Sequence, residues 1–210
     1  MIFVYNEYMP ATAVRPTAQS AILSACERAL AKHGFRRMTM DDVAAEARLN
    51  RRTIYLHFPN KEALVSETIR QVIARTQAAM EAPLENGSGL QSLRQMLVAR
   101  ILVRLEQVGP YHHSLDEMNR ELYPHTAEED QSFYEPEVVL VMAALEKGMA
   151  DSSIAPVDSR TVAELLVRAT NGFIPSNLTP TEVANLDLVR SKLETFVDLL
   201  SFGIAARKKS

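Results

Sequence analysis

The sequence predicts an all-α protein in two parts: an N-terminal three-helix unit of helix-turn-helix type and a larger C-terminal helical body. Three observations predict it. Glycine is scarce, at seven in 210 residues. The alternation of Val, Ile and Thr that marks a half-buried strand is absent, and apolar residues recur instead every three or four positions. A chain of this length can bury a substantial core. Its 47 % hydrophobic and 23 % charged residues place it among globular chains and away from disordered ones.

Each element has a local cause. Residues 1–14, carrying Phe3, Tyr5 and Tyr8, read as a flexible arm. The first helix is predicted over 17–33, where Ile22, Ala25, Cys26, Ala29 and Leu30 fall on one stripe. Thr17 is its N-cap and Gly34 an αL stop. A second helix starts at Thr39, whose T-x-x-D spacing to Asp42 is a capping pattern, and it turns Val43, Ala44 and Ala47 inward. Arg48, Leu49 and Asn50 form a turn, with Leu49 as apolar plug and Asn50 capping a third helix over 51–57. Pro59 excludes helical backbone at Phe58 and ends that helix. Asn60 caps a fourth helix over 61–82, which connects the unit at 15–60 to a body at 83–210. The stretch LENGSG after Pro83 is the clearest break in the chain. Further helices are predicted at 90–108, 110–123, 133–149, 157–173 and 186–206, with loops at 124–130 and 174–181.

Charge is distributed unevenly. The net charge of −3 divides into eleven Lys/Arg against seven Asp/Glu over residues 1–75, and twelve against nineteen over the rest. A basic front on an acidic body concentrates attraction for phosphate at the helix pair. No apolar run approaches the roughly 18–20 residues that span a bilayer. The N-terminus has neither a basic leader nor a long apolar segment, so no secretory signal is expected and the chain reads as cytoplasmic, without membrane partners. The single Cys26 cannot form an internal disulfide, and on an apolar helix face it reads as a buried thiol.

The chemistry concentrates in TMDDVAAEARLNRRTIYLHFPNK, residues 39–61. Two short helices joined by a three-residue turn, the second opening on Arg-Arg-Thr, suit the major groove of duplex DNA. With ILSACERALAKHGF before it and RRTIYLHFPNKEAL as its second half, the segment 22–64 resembles the DNA-binding domain of the tetracycline-repressor (TetR) family of bacterial regulators. The string T-[apolar]-Y-x-H-F-x-[NS]-K-E-x-L after a helix-turn-helix carries the resemblance, which covers about the first third of the chain. There are departures. The family commonly has Gly where this chain has Arg48. Either the turn geometry differs or a left-handed arginine is tolerated, at roughly 1 kcal/mol, for a further phosphate contact. Asn50 replaces a Ser-like cap, and Arg52 stands where a small residue is frequent.

Roles follow by residue. Arg51, in the first turn of the recognition helix, can take guanine O6 and N7 bidentately, and Arg52 can do the same or clamp a phosphate. Thr53 suits a phosphate oxygen or a thymine methyl, and Thr39 offers hydroxyl and helix dipole to a phosphate. Tyr55, His57 and Lys61 correspond to family positions that contact the DNA backbone. Ile54 and Phe58 lie on the opposite face and read as core.

The resemblance also implies a helical body that binds a small-molecule effector and dimerises through its last two long helices, matching a palindromic operator. In the final helix Val189, Leu193, Phe196, Val197 and Leu200 share a face that Leu188, Leu199 and Phe202 widen beyond one core's needs. Val162, Leu165 and Leu166 on the preceding helix complete the expected interface; a thick intramolecular bundle is the alternative. Residues suited to a mostly apolar effector site are Met96, Arg100, His113, Met118, Tyr123, Phe133, Tyr134, Met142 and Phe173. His112 and His113 precede Asp116 and Glu117 at helical spacing, but no metal or cofactor is expected. No nucleophile-elbow, P-loop, dinucleotide or zinc-protease motif occurs, so the chain is not expected to be an enzyme. The expectation is a sequence-specific transcriptional repressor released by its effector. A helical small-molecule-binding protein or enzyme without DNA function is the alternative.

Overall fold

The computed structural model describes residues 17–122 and 134–206. The arm at 1–14, the loop at 124–130, Tyr123 and Phe133 lie outside them. The described helices are α1 (Ala18–Arg37), α2 (Met40–Ala47), α3 (Arg51–His57), α4 (Lys61–Glu81), α5 (Gly89–Val108), α6 (Leu115–Leu122), α7 (Glu135–Ala150), α8 (Ser159–Thr170), α9 (Pro180–Val183) and α10 (Leu186–Ile204). Short 3-10 turns at Ala82–Glu85, Gly109–Ser114, Asn171–Phe173 and Pro175–Asn177 join them. No described helix is long and apolar enough to cross a membrane.

The N-terminal helices begin where their caps put them. Thr17 accepts from the Ser20 N–H at 3.1 Å, Asn50 from Thr53 at 2.8 Å and Asn60 from Ala63 at 2.7 Å. Thr39 and Asp42 close a reciprocal box. Removing one such cap costs about 1 kcal/mol. Phe58 is extended at φ −135° and ψ 119°, as the following Pro59 requires. Gly34 departs from the expected αL stop. Its φ of 72° with ψ of 162° kinks the helix in a region that only glycine enters readily, and one further turn continues to Arg37.

Apolar side chains gather into two clusters. The first joins α1, α2, α3 and the start of α4 through Ile22, Leu30, Val43, Ile54 and Leu64, and takes in Val108, Tyr111 and Met118 from the body. The second joins α5, α7, α8 and α10 through Leu93, Leu97, Val141, Leu145 and Leu193. Between the N-terminal helices and the body, the Phe35 N–H donates to Ser114 Oγ at 3.0 Å. At the opposite end several helix termini are knotted together. Gly89 N–H donates to Asp151 Oδ2 at 2.7 Å, Leu90 N–H to Ser153 Oγ at 3.1 Å and Lys147 Nζ to the Leu84 carbonyl at 2.8 Å. Ile154 forms an antiparallel bridge with Ala205, and Ala206 N–H reaches the Ser153 carbonyl at 3.1 Å. A Cβ on Gly89 would stand 2.0 Å from the Gly148 nitrogen, so α5 and α7 touch backbone to backbone here.

Two sequence expectations change. The segment 110–123 is not one helix, because Tyr111 adopts φ −125°, ψ 23°; a 3-10 turn precedes α6. The segment 174–181 is not wholly loop. It holds a 3-10 turn at Pro175–Asn177 and the first residues of α9, whose start is fixed by a reciprocal Thr179–Glu182 capping box.

Candidate functional site

α3 is held by one face and presents the other. Ile54 is fully buried and Phe58 nearly so, which leaves Arg51, Arg52, Tyr55 and Leu56 facing outward. Leu56 is 76 % exposed. Sequence reading passed over it, although it lies one turn beyond Arg52, and an aliphatic tip on this face suits a thymine methyl. Arg51 is held locally: Nη1 pairs with Asp41 at 2.9 Å, Nη2 donates to the Tyr55 hydroxyl at 3.3 Å, and the guanidinium lies 5.3 Å from the Tyr55 ring centroid. The Tyr55 hydrogen bond first, and the Asp41 charge second, raise its already high pKa. The Asp41 contact also sets the first turn of α2 beside the start of α3.

Arg48 and Arg52 are exposed and have no ion-pair partner among the described residues. Arg48 adopts αL backbone, φ 56° and ψ 37°, so the turn keeps the geometry that glycine usually serves. Beside it Glu46 takes both Arg28, at 3.4 Å, and Lys32, at 3.5 Å. Thr39 is exposed at the start of α2, with its hydroxyl donated to Asp42 at 2.7 Å. That bond, and the Thr39 N–H after it, hold the Asp42 carboxyl below its usual range. Thr53 is half-buried and donates to Asn50 at 2.9 Å, while His57 is exposed beside Phe58. Lys61 does not stand free. Its ammonium donates to the Phe35 carbonyl at 3.1 Å and lies 4.6 Å from the Phe35 ring centroid, stitching α4 to α1. The structure therefore gathers Arg51, Arg52 and Tyr55 on one exposed face, while Thr53 and Lys61 are engaged within the chain.

The body holds a cavity of about 120 Å³ lined by residues of α4, α5, the Gly109–Ser114 turn and 174–176, Tyr111 among them. Of the residues expected at an effector site, Tyr134 lines it. Arg100 lies close by, fully buried, with Nε 2.5 Å from Glu137 Oε2, Nη1 3.0 Å from Thr170 Oγ1 and Nη2 2.6 Å from Asn171 Oδ1. Burial pushes its pKa down and Glu137 pulls it back. Arg104 also pairs with Glu137, and the Tyr134 ring centroid lies 5.4 and 5.6 Å from the two guanidiniums. Arg104 and Glu137 escaped sequence reading; the i, i+4 pair of arginines in the otherwise apolar run 97–105 was the available signal. Met96 and Met118 are core packing in the second and first clusters. His113 is exposed beside Gly34, and Met142 and Phe173 pack half-buried on the second cluster. Tyr123 and Phe133 lie outside the described residues. Among the described residues no group of three His, Cys, Asp or Glu is placed to hold a metal ion.

Residues 22–68 match the family described as bacterial regulatory proteins of the tetR family. The match is to the DNA-binding domain and takes in α1, α2, α3 and the first part of α4. It is similar to the HTH-type transcriptional regulator BetI of Agrobacterium fabrum, 31 % identical over 81 residues, which is 39 % of each chain. It is also similar to the HTH-type transcriptional regulator EthR of Mycolicibacterium smegmatis, 32 % identical over 68 residues, which is 32 % of this chain and 31 % of that one. The matched stretch thus spans well under half of these relatives. Over more of its length the chain shares the fold of the transcriptional regulator FadR from Bacillus subtilis, solved in complex with stearoyl-CoA. The TM-score is 0.64 at 16 % identity, covering 88 % of this chain and 98 % of that one.

The last two long helices of the chain divide their apolar residues between two faces. Leu166, Val189, Leu193 and Val197, expected at a dimer interface, are buried in the chain's own core, Val162 and Leu200 pack half-buried against it, and the half-buried Phe196 lies 5.5 Å from Phe173, ring centroid to ring centroid. The outward set differs. Leu165 is 59 %, Leu199 68 % and Phe202 85 % exposed, and Leu186 and Leu188 are exposed at the start of α10. α10 is apolar on both sides, and the side that continues the bundle takes the regularly spaced Val189, Leu193 and Val197.

Proposed function

We propose that the chain is a homodimeric, sequence-specific transcriptional regulator of the cytoplasm, a repressor released from a palindromic duplex operator by a small molecule, and not an enzyme. The observation that carries this reading is the outward face of α3, which presents Arg51, Arg52, Tyr55 and Leu56 in a tetR-family domain. Two guanidiniums, a phenol and an aliphatic tip are the side chains that read base edges, take phosphate and meet a thymine methyl. Exposed Arg48, and Thr39 at the start of α2, add phosphate contacts on either side. The exposed Leu165, Leu199 and Phe202 support a partner chain on that face. A cavity inside the body, and a structural neighbour solved with stearoyl-CoA, support small-molecule control.

The experiment is selection of bound sequences from a random duplex pool, followed by anisotropy titration of the best site across salt concentrations. The expected result is a two-fold symmetric site with half-sites about 34–36 Å apart and a steep salt slope. Replacing Arg51 and Arg52 with Ala is expected to weaken that site by roughly 5- to 150-fold per lost base contact. Sequence-indifferent binding by the parent, or undiminished binding by the double variant, refutes the proposal.

A further inference from the structure

The cavity in the body carries an electrostatic demand that its own walls leave unmet. We infer that it binds a small anionic amphipath, a carboxylate on a compact apolar skeleton, with the acid group taken by Arg104 and Tyr111. This rests on the effector reading above only for its consequence at DNA; the binding itself stands apart from it.

The side chains of Arg100, Arg104 and Glu137 are 0 %, 9 % and 2 % exposed. Two guanidiniums share one carboxylate, so the cluster holds one surplus positive charge. Thr170 and Asn171, which take the other Arg100 N–H groups, are neutral. Among the described residues no second carboxylate pairs with either arginine. A buried charge without its counter-charge is among the costliest features a fold can retain.

Hydrogen bonding points the same way. Among the described residues Arg104 Nη1 and the Tyr111 hydroxyl are both buried without a partner, and both residues line the cavity. Burial first, and the nearby Glu27 after it, push the Tyr111 phenol above its ordinary value, so it stays protonated at neutral pH and can donate. No hydrogen bond joins the two, so the guanidinium N–H and the phenol O–H are both left as donors. One carboxylate gives an oxygen to each and cancels the surplus charge. An amide or alcohol meets the hydrogen bonds but leaves the charge, and a phosphate dianion overbalances it.

The remaining walls set the rest of the ligand. Ile69, Val72, Ile73, Val108, Leu115 and Ile174 are aliphatic. At about 120 Å³ the cavity is a little smaller than the roughly 150 Å³ cavity that holds one benzene. A skeleton of about six carbons fits that space. Tyr111 shares its 3-10 turn with Ser114, whose Oγ takes the Phe35 N–H, so an acid seated on Tyr111 bears on the segment that touches α1.

The test titrates hexanoate and phenylacetate into the full chain without DNA, with hexanamide and phenylacetamide as uncharged matches, by calorimetry and thermal unfolding. The acids are expected to bind at least about tenfold more tightly than the amides. Tyr111→Phe, which deletes a single oxygen, is expected to weaken the acids about tenfold. Arg104→Met is expected to abolish the preference for acids while its Tm without ligand stays at or above that of the parent, because the surplus charge is gone. Equal binding of acids and amides, a preference that survives Arg104→Met, or no saturable binding of either acid at millimolar concentration overturns the inference. Repeating the titration on the operator complex separates the two readings. Acids that bind without displacing DNA leave the cavity assignment standing and remove the effector role, and a parent that binds no operator removes the regulator reading alone.

Discussion

Arg48 and Ser152 are the described non-glycine residues with left-handed backbone, and Arg48 stands beside the reading helix at φ 56°. For a residue bearing a Cβ that conformation costs about 1–2 kcal/mol. Glycine relieves it but loosens the unfolded chain, which costs about 0.4–1 kcal/mol in return. The bonds that close the turn, Arg48 N–H to the Ala45 carbonyl at 3.2 Å and Leu49 N–H to the Ala44 carbonyl at 3.0 Å, are main-chain bonds and survive the change. The guanidinium is exposed and forms no ion pair among the described residues, so nothing within the chain is lost with it. Arg48→Gly is therefore expected to stabilise the chain by about 0.5–1 kcal/mol, raising Tm by about 1–4 °C at this length. On DNA the same variant is expected to flatten the log–log salt dependence by about one unit per protomer, the signature of one lost phosphate contact. Thermal unfolding followed by circular dichroism reads the first effect, and anisotropy at several salt concentrations reads the second. A Tm below the parent's refutes the strain argument. A raised Tm with an unchanged salt slope refutes the phosphate contact.

Further outcomes are open to measurement. Gly89→Ala drives a Cβ to 2.0 Å from the Gly148 nitrogen, backbone that cannot swing aside, and is expected to cost about 3 kcal/mol or more as a lowered urea midpoint. Gly148→Ala meets the Ile154 side chain first and is expected to cost less; the reverse order would disprove the backbone contact. Burial pushes the Cys26 thiol up to about 12, so at pH about 8 it is expected to resist a disulfide reagent until the chain opens, and rapid labelling of the folded chain would contradict its burial. Because that folded value lies above the thiol's usual pKa of about 8.5, the stability it contributes is full below about pH 8.5 and is lost as pH climbs towards about 12. Leu199→Asp combined with Phe202→Asp is expected to give monomers in sedimentation with unchanged helical content. Dimers that persist would assign the interface to another face.

What the sequence disclosed was local chemistry. Thr39, Asn50 and Asn60 each put a short polar side chain three residues ahead of an unpaired N–H, and each caps the helix it announces. Pro59 dictates the backbone of its neighbour. The outward face of α3 follows from the same reasoning, because Ile54 and Phe58 fix which side is buried. Contacts distant in sequence stayed hidden. Periodicity marks Val189, Leu193, Leu199 and Phe202 alike as apolar, and only packing decides that the first two face the chain's own core. Glu137 reads as a surface carboxylate in the first turn of α7, yet it is the shared partner of two arginines more than 30 residues away. Nor does any spacing rule send the Lys61 ammonium to the Phe35 carbonyl, or Arg51 to Asp41.

The knot of helix ends around Gly89 gives α5 the mechanics of a rod clamped at its base. Asp151 and Ser153 grip its first N–H groups, and the bridge between Ile154 and Ala205 fastens the end of α10 to the same turn. The rod's 20 residues reach about 30 Å, ending beside the cavity and the turn that carries Ser114. A tilt of about 4° about the clamp carries the tip through about 2 Å. The tip adjoins the bond from Ser114 to Phe35, so a small wedge at the cavity is delivered where the N-terminal helices hang. Leverage of this kind depends on stiffness at the far end. On the proposed function, loosening Gly89 or Asp151, remote from both the cavity and α3, is expected to blunt the response of DNA binding to the ligand.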